Sequence, residues 1–325
     1  MQETRLGRSG LIVSKIAFGT WQLGGDWGPT DEAEAVAAIR RAADQGVTLF
    51  DTAQGYGFGR SERLLAKALG GRRDGVRVAT KGGLRPTDNG GVTRDASPKW
   101  IRRGVEESLR ALRTDAIDLY QVHWPDPATP LEETAGALAA LVEEGKLRHV
   151  GVSNFDAREI EAFSATVPVE TLQPPYHLFR RSVEVSLLPY ADANDIGVLV
   201  YGPLAHGLLS GALHEDTRFS PGDWRAASAD FRGDIYCRNL AAVARLEHLA
   251  GGELGISLSR LAVAWTLANP AVDVAIVGTR NPAHVDDAVA AADLKLDRDI
   301  LERIDEIMGD TQPIAGPSPE MMPEA

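Results

Sequence analysis

The sequence predicts an α/β protein built as one (β/α)8 TIM barrel. Three observations point there: eight short apolar runs, amphipathic helical stretches between them, and polar side chains gathered at the ends of the runs. The runs that read as strands are 15–20, 48–53, 76–81, 117–123, 149–154, 170–176, 198–202 and 273–279. Several are almost continuous in apolar residues, as parallel strands covered on both faces are. Among the helices, Ser97 caps and Pro98 opens one whose Ile101, Val105, Leu109 and Leu112 form a single stripe. Another follows Thr30 and stops at Gly46, placed as a C′ glycine. Strand–helix alternation with right-handed crossovers makes a parallel sheet, open or closed. Eight such units favour the closed form.

Three segments fall outside this rhythm. Residues 1–14 read as an N-terminal hairpin turning around Gly7–Gly10, ahead of the first barrel strand. Residues 204–234, after the seventh strand, are rich in Gly, Ser, Asp and Pro with Trp224 and Phe231 embedded. A connection that long in a compact domain is usually functional, and it is expected to cover a bound cofactor. Residues 311–325 are polar and proline-rich and are expected to form a flexible tail. No linker divides the chain, so residues 1–325 are read as one domain.

Charge and composition exclude several classes. Net charge is −12, from 34 basic and 46 acidic side chains, and so acidic a surface repels polyphosphate backbones. Nucleic acid is therefore not an expected partner. The single cysteine, Cys237, rules out an intrachain disulfide and a cysteine-rich metal site, and no metal is expected. A reducing, cytoplasmic setting agrees with that. The opening MQETRLGRSGLIV has too short an apolar run for a signal peptide, and no run of about 18 apolar residues suggests a membrane span. A homo-oligomer is left open.

The chemistry is expected at the strand ends. Asp51, Lys81, His123, Asn154, Gln173, Tyr201 and Arg280 each fall at or just past the C-terminal end of a run. In a (β/α)8 barrel these ends converge on one face, where active sites sit. One polar residue at a strand end usually caps a turn; seven aimed at one mouth reduce the force of that bland account. The loop DTAQGYGFGRSE (51–62) carries Gly55, Gly57 and Gly59, but Arg60 stands where a G-x-G-x-x-G dinucleotide motif has its last glycine. It reads better as a tight loop returning Tyr56 over the mouth near Asp51.

These residues carry a resemblance. The sequence resembles the aldo-keto reductase family over nearly its whole length, through DTAQGYGFGRSE (51–62), ATKGG (79–83), DLYQVHWPD (118–126), GVSNF (151–155), YGPLAHGLLSG (201–211) and AIVGTRNPAHV (275–285). Its short loops and early hairpin look closer to the bacterial and potassium-channel-β-like branches than to the vertebrate aldose reductases. The resemblance implies NADPH-dependent reduction of aldehydes or ketones to alcohols, with NADH also open as cofactor. Tyr56 would be the general acid. Lys81 would make its phenol more acidic by favouring the phenolate, Asp51 would hold Lys81, and His123 would orient the substrate oxygen. For the cofactor, the resemblance implies Ser153, Asn154 and Gln173 at the nicotinamide carboxamide and Tyr201 beneath its ring. Gly202, Pro203, Leu204, Gly207 and Leu209 would run beside the pyrophosphate. Gly278, Thr279 and Arg280 would hold the adenosine end, with His284 and Asp287 nearby. Gly19, Thr20, Trp21 and Asp51 complete that set. Where relatives often carry glutamine and asparagine at the adenine side, this chain has His284 and Ala288.

For the substrate, a small carbonyl compound, the candidates are Trp21, Trp27, Tyr56, Phe58, His123 and Trp124 as an aromatic pocket, with Asp26, Arg60 and Arg85 as polar additions. Ordinary packing is the alternative for each aromatic. Three other activities compete: a sugar or polyol dehydrogenase using NAD(P)+ on the same scaffold, a Schiff-base aldolase acting through Lys81, and a nicotinamide-sensing, channel-β-like binding protein.

Overall fold

A computed structural model describes residues 1–25, 27–88, 91–220 and 222–314. An antiparallel hairpin comes first, β1 (Glu3–Leu6) and β2 (Leu11–Ser14). It turns through Gly7 and Gly10 at φ of 48° and 70°, left-handed values that suit glycine. The order then runs β3 (Ile16–Gly19), α1 (Glu32–Asp44), β4 (Leu49–Asp51), α2 (Arg60–Leu69) and β5 (Arg77–Gly82). A second hairpin, β6 (Leu84–Pro86) and β7 (Val92–Arg94), precedes α3 (Pro98–Leu112), β8 (Ile117–Val122), α4 (Leu131–Glu143) and β9 (Leu147–Ser153). Next come α5 (Ala157–Ser164), β10 (Thr171–Gln173), α6 (Leu187–Ala193), β11 (Gly197–Tyr201), α7 (Gly233–Glu247) and α8 (Leu258–Ala268). The order ends with β12 (Val274–Gly278), α9 (Ala283–Ala291) and α10 (Arg298–Met308).

Strands β3, β4, β5, β8, β9, β10, β11 and β12 pair in parallel, and β12 closes onto β3 in the register Ala275↔Ile16 through Gly278↔Gly19. All eight expected strand regions lie on this closed barrel. Its inside is filled by Ala17, Leu49, Ala79, Leu119, Leu199, Val274 and Ile276. Leu6 and Val13 join that cluster, so the N-terminal hairpin stoppers one end of the barrel. The larger core lies between strands and helices, where each helix turns one stripe inward. In α3 that stripe is Ile101, Val105, Leu109 and Leu112, all buried, and the Ser97 hydroxyl accepts the Trp100 N–H at 3.3 Å. Helix α1 is capped by Asp31, one residue after the expected Thr30, and the chain leaves it through Gly46 at φ 84°.

The long 204–234 connection carries short 3-10 turns at Ala205–Ser210, Trp224–Ala226 and Ala229–Phe231, and its last residues already begin α7. The start of the supposed tail is pinned. The Gln312 N–H donates to Asn239 at 3.0 Å, the Ile314 N–H donates to the Phe179 carbonyl at 2.8 Å, and Ile314 is buried. Residues 315–325 lie outside the described residues, as does Asp26. Among the described residues no helix is long and apolar enough to cross a membrane.

Candidate active site

The parallel strands deliver their C-terminal ends to one cleft of about 720 Å³. On its floor Asp51 ends β4, and just behind the lining Lys81 lies near the end of the adjacent strand β5. The Lys81 ammonium donates to Asp51 Oδ2 at 2.7 Å and to the Thr52 carbonyl at 3.0 Å. It also reaches the Tyr56 hydroxyl at 3.4 Å. The Lys81 side chain is 1 % exposed, and a cation so buried persists only when paired and hydrogen-bonded. The other Asp51 oxygen accepts from the Gln173 amide at 2.8 Å, so both oxygens of the carboxylate are engaged.

Tyr56 is held by the backbone of its loop. Its N–H donates to the Ala53 carbonyl at 3.1 Å, and the chain then runs through positive φ at Gly57 (63°), Phe58 (44°) and Gly59 (87°). A Cβ on Gly57 would lie 2.4 Å from the Gly24 carbonyl oxygen, so only glycine allows this loop to press against the β3–α1 connection. The His123 ring meets the Tyr56 ring nearly edge-on, with centroids 5.7 Å apart. Beside them the Asn154 amide donates to the His123 carbonyl and to Ser153 Oγ, each at 3.0 Å, and its oxygen accepts from the Tyr201 hydroxyl at 2.9 Å. Ser153 in turn donates to the Gln173 carbonyl at 2.9 Å. One polar network thus runs across the mouth from β4 to β11.

Of the residues expected around a cofactor, all but Thr20, Leu209 and Asp287 line this cleft. Thr20 is fully buried; its hydroxyl donates to the Asp51 carbonyl at 3.0 Å and accepts from Ser61 at 2.7 Å, tying β3 to α2. Leu209 is packed into the outer core. Asp287 points to α8, where it accepts from Ser257, from Ser259 at 2.6 Å and from Arg260 at 3.1 Å. Of the substrate candidates, Trp21, Trp27, Tyr56 and His123 line the cleft, whereas Phe58 and Trp124 do not. Trp124 lies beneath the Arg94 guanidinium at 5.0 Å. Arg60 is also off the lining, and Arg85 pairs with Asp95 at 2.9 Å.

The lining also holds Gln22, Pro29, Asp31, Glu34 and Arg225, which no motif marks, and His206, Ser210 and Asn281, which lie within the 201–211 and 275–285 motifs. Arg225 anchors the long segment. It donates to the Asp223 carboxylate at 3.0 and 2.6 Å and to the His206 carbonyl at 3.0 Å. Its guanidinium also covers the Trp27 ring at 4.7 Å. Trp21 lies between Tyr56, at 6.5 Å, and a rim made by Trp27, His206 and Trp224 at 4.9, 6.1 and 6.1 Å. Behind this wall His177 is wholly buried, and burial holds its imidazole well below its ordinary pKa.

Comparison with known proteins agrees with this geometry. The model of the Aldo/keto reductase family matches residues 15–308. The chain is 45 % identical over 289 residues to "Aldo-keto reductase YhdN" of Bacillus subtilis (strain 168), covering 88 % of this chain and 87 % of that one. It is 33 % identical over 329 residues to "Probable voltage-gated potassium channel subunit beta" of Arabidopsis thaliana, covering 95 % and 97 %. Among solved structures, the glycerol dehydrogenase of Gluconobacter oxydans superposes with a TM-score of 0.88 at 37 % identity, covering 99 % and 98 %. On the barrel, the motifs and a family match spanning most of its length, this NAD(P)H-dependent oxidoreductase belongs to the aldo/keto reductase family.

Proposed function

We propose that this protein reduces an aldehyde or ketone to an alcohol with NADPH, using Tyr56 as the general acid. The observation that carries this reading is the buried Lys81 ammonium, held between Asp51 at 2.7 Å and the Tyr56 hydroxyl at 3.4 Å, two residues that line the cleft. A free phenol, with a pKa of about 10, is a poor acid at neutral pH. A neighbouring ammonium in a water-poor site favours phenolate over phenol and so makes the proton easier to give. Asp51 keeps Lys81 in place, and Gln173 keeps Asp51 in place. Tyr56 then hands its proton to the carbonyl oxygen, which His123 orients from its edge-on position.

The lining fits a nicotinamide cofactor. Amide groups from Asn154 and Gln173 with the Ser153 hydroxyl match a carboxamide, and Tyr201 offers an aromatic face. When bound, the cofactor supplies the hydride that reaches the carbonyl carbon. Arg280 is the positive side chain in the lining at the adenosine end, suited to grip a phosphate with two parallel hydrogen bonds. The two acids that follow it on α9 do not neutralise it: Asp286 pairs with Arg41 at 2.7 Å and Asp287 with Arg260 at 3.0 Å.

The test is NADPH absorbance followed against a panel of aldehydes, ketones, aldoses and dicarbonyls; no turnover of any carbonyl would reject the reading. A second reading, polyol oxidation with NAD(P)+, draws on the similarity to a glycerol dehydrogenase. The same residues serve it with Tyr56 as base, and comparing kcat/KM in both directions separates the two.

The 204–234 segment is the lid of this site. After β11 the chain reaches Trp27 through the Asp223 bridge and the Arg225 guanidinium over the Trp27 ring at 4.7 Å, and on this reading those two contacts are the latch that opens for cofactor exchange. Limited proteolysis should cut the segment in the cofactor-free protein, and saturating NADPH should suppress the cuts at least tenfold. Equal cleavage with and without NADPH would show that the segment does not close over cofactor.

A further inference from the structure

We propose that Glu34, aided by Asp31, opposes the phosphate that distinguishes NADPH from NADH and so makes this enzyme a user of both cofactors. The inference rests on the nicotinamide reading of the cleft. Beyond β12 the cleft wall is Thr279, Arg280, Asn281 and His284. Arg280 Nη1 donates to the carbonyl oxygens of Trp27 at 3.3 Å and Pro29 at 2.9 Å, drawing the segment that enters α1 against this wall. Two residues past Pro29, Asp31 caps α1, and both Asp31 and Glu34 line the same cleft. Asp31 Oδ1 is fixed by the N–H groups of Ala33 at 2.7 Å and Glu34 at 3.0 Å. Among the described residues neither carboxylate has a cationic partner, and the Glu34 side chain accepts no hydrogen bond.

The contrast with α9 gives this weight. Asp286 and Asp287 are each covered by an arginine, whereas the two carboxylates turned to the cleft are not. The adenosine end therefore sets one guanidinium against two carboxylates that no cationic side chain pairs, eased only by the N-terminus of α1. A ribose hydroxyl is tolerated there, because carboxylates accept from such hydroxyls in dinucleotide sites. A ribose phosphate brings negative charge beside negative charge. At several ångströms and with partial solvent screening, one such charge changes affinity by roughly three- to tenfold.

The test titrates the full-length protein with NADPH and with NADH, reading the fluorescence of the cleft tryptophans as a binding signal independent of turnover. Wild type is compared with Glu34→Gln, with Glu34→Gln/Asp31→Asn (asparagine also caps helices) and with Arg280→Ala. Glu34→Gln should tighten NADPH by about three- to tenfold and leave NADH within about twofold, with the double variant going further. Arg280→Ala should move NADPH the other way. The Glu34→Gln gain should shrink in about 1 M salt, where charge effects are screened. A ratio of NADH to NADPH dissociation constants within about twofold of wild type, or a gain indifferent to salt, would overturn the proposal. Wild type binding neither cofactor would overturn the nicotinamide reading itself, an outcome distinct from an unchanged ratio.

Discussion

Tyr56→Phe should lower kcat for carbonyl reduction by a factor of about 100 or more, within the range for acid–base catalysis. Phenylalanine keeps the ring that packs against Trp21 and His123, so only the hydroxyl 3.4 Å from Lys81 is lost. The dissociation constant for NADPH should change by less than about threefold, since the proposed role of that hydroxyl is toward substrate. Stopped-flow kinetics with a reactive aldehyde, paired with a fluorescence titration of cofactor, checks both parts. A variant keeping half of the wild-type kcat would remove Tyr56 from the chemistry.

Lys81→Met should be the most destabilising single change in the site. The side chain is 1 % exposed and its partner Asp51 4 %, so removing the ammonium leaves a carboxylate buried with only the Gln173 amide to satisfy it. Breaking a buried ion pair from one side typically costs about 3–5 kcal/mol. Methionine fills the space of the stem, which keeps cavity formation out of the result. Urea denaturation should show that loss, and Asp51→Asn/Lys81→Met should recover most of it while remaining inactive. Stability of the single variant within about 1 kcal/mol of wild type would mean that the pair is not a buried ionic contact.

The barrel was legible because its strands are covered on both faces, which forces nearly continuous apolar runs such as Ile117–Val122. Asp51, Lys81 and His123 were legible as polar interruptions at the ends of those runs. The hairpin of β6 and β7 escaped because its strands are three residues long and lie among glycine, proline and aspartate, too short for a period of two to show. Thr20 and Asp287 misled for a different reason. Each stands in the right stretch of chain, but a hydroxyl or carboxylate takes the nearest donors, and Ser61 and Arg260 were nearer than the cleft. His206 and Arg225 lie in a segment without periodicity, where only the fold says what the chain crosses. The trace in the sequence was faint: a histidine before a glycine inside the 201–211 motif, with a Trp-Arg pair eighteen residues on. Asp31 and Glu34 were legible only as the start of a helix, since a helix cap and a cleft rim ask for the same residue types.

In the proposed mechanism one proton decides catalysis: Tyr56 would give it in reduction and take it in oxidation. The direct measurement is the pH dependence of the chemical step in both directions on the same preparation, by single turnover with cofactor prebound. Reduction needs the phenol, so its rate should be highest at low pH and fall as pH rises through the tyrosine's pKa. Oxidation needs the phenolate, so its rate should rise through that same region. Opposite limbs crossing at one shared pKa, both absent in Tyr56→Phe, are the predicted result; parallel limbs in the two directions would contradict Tyr56 as the shared acid and base.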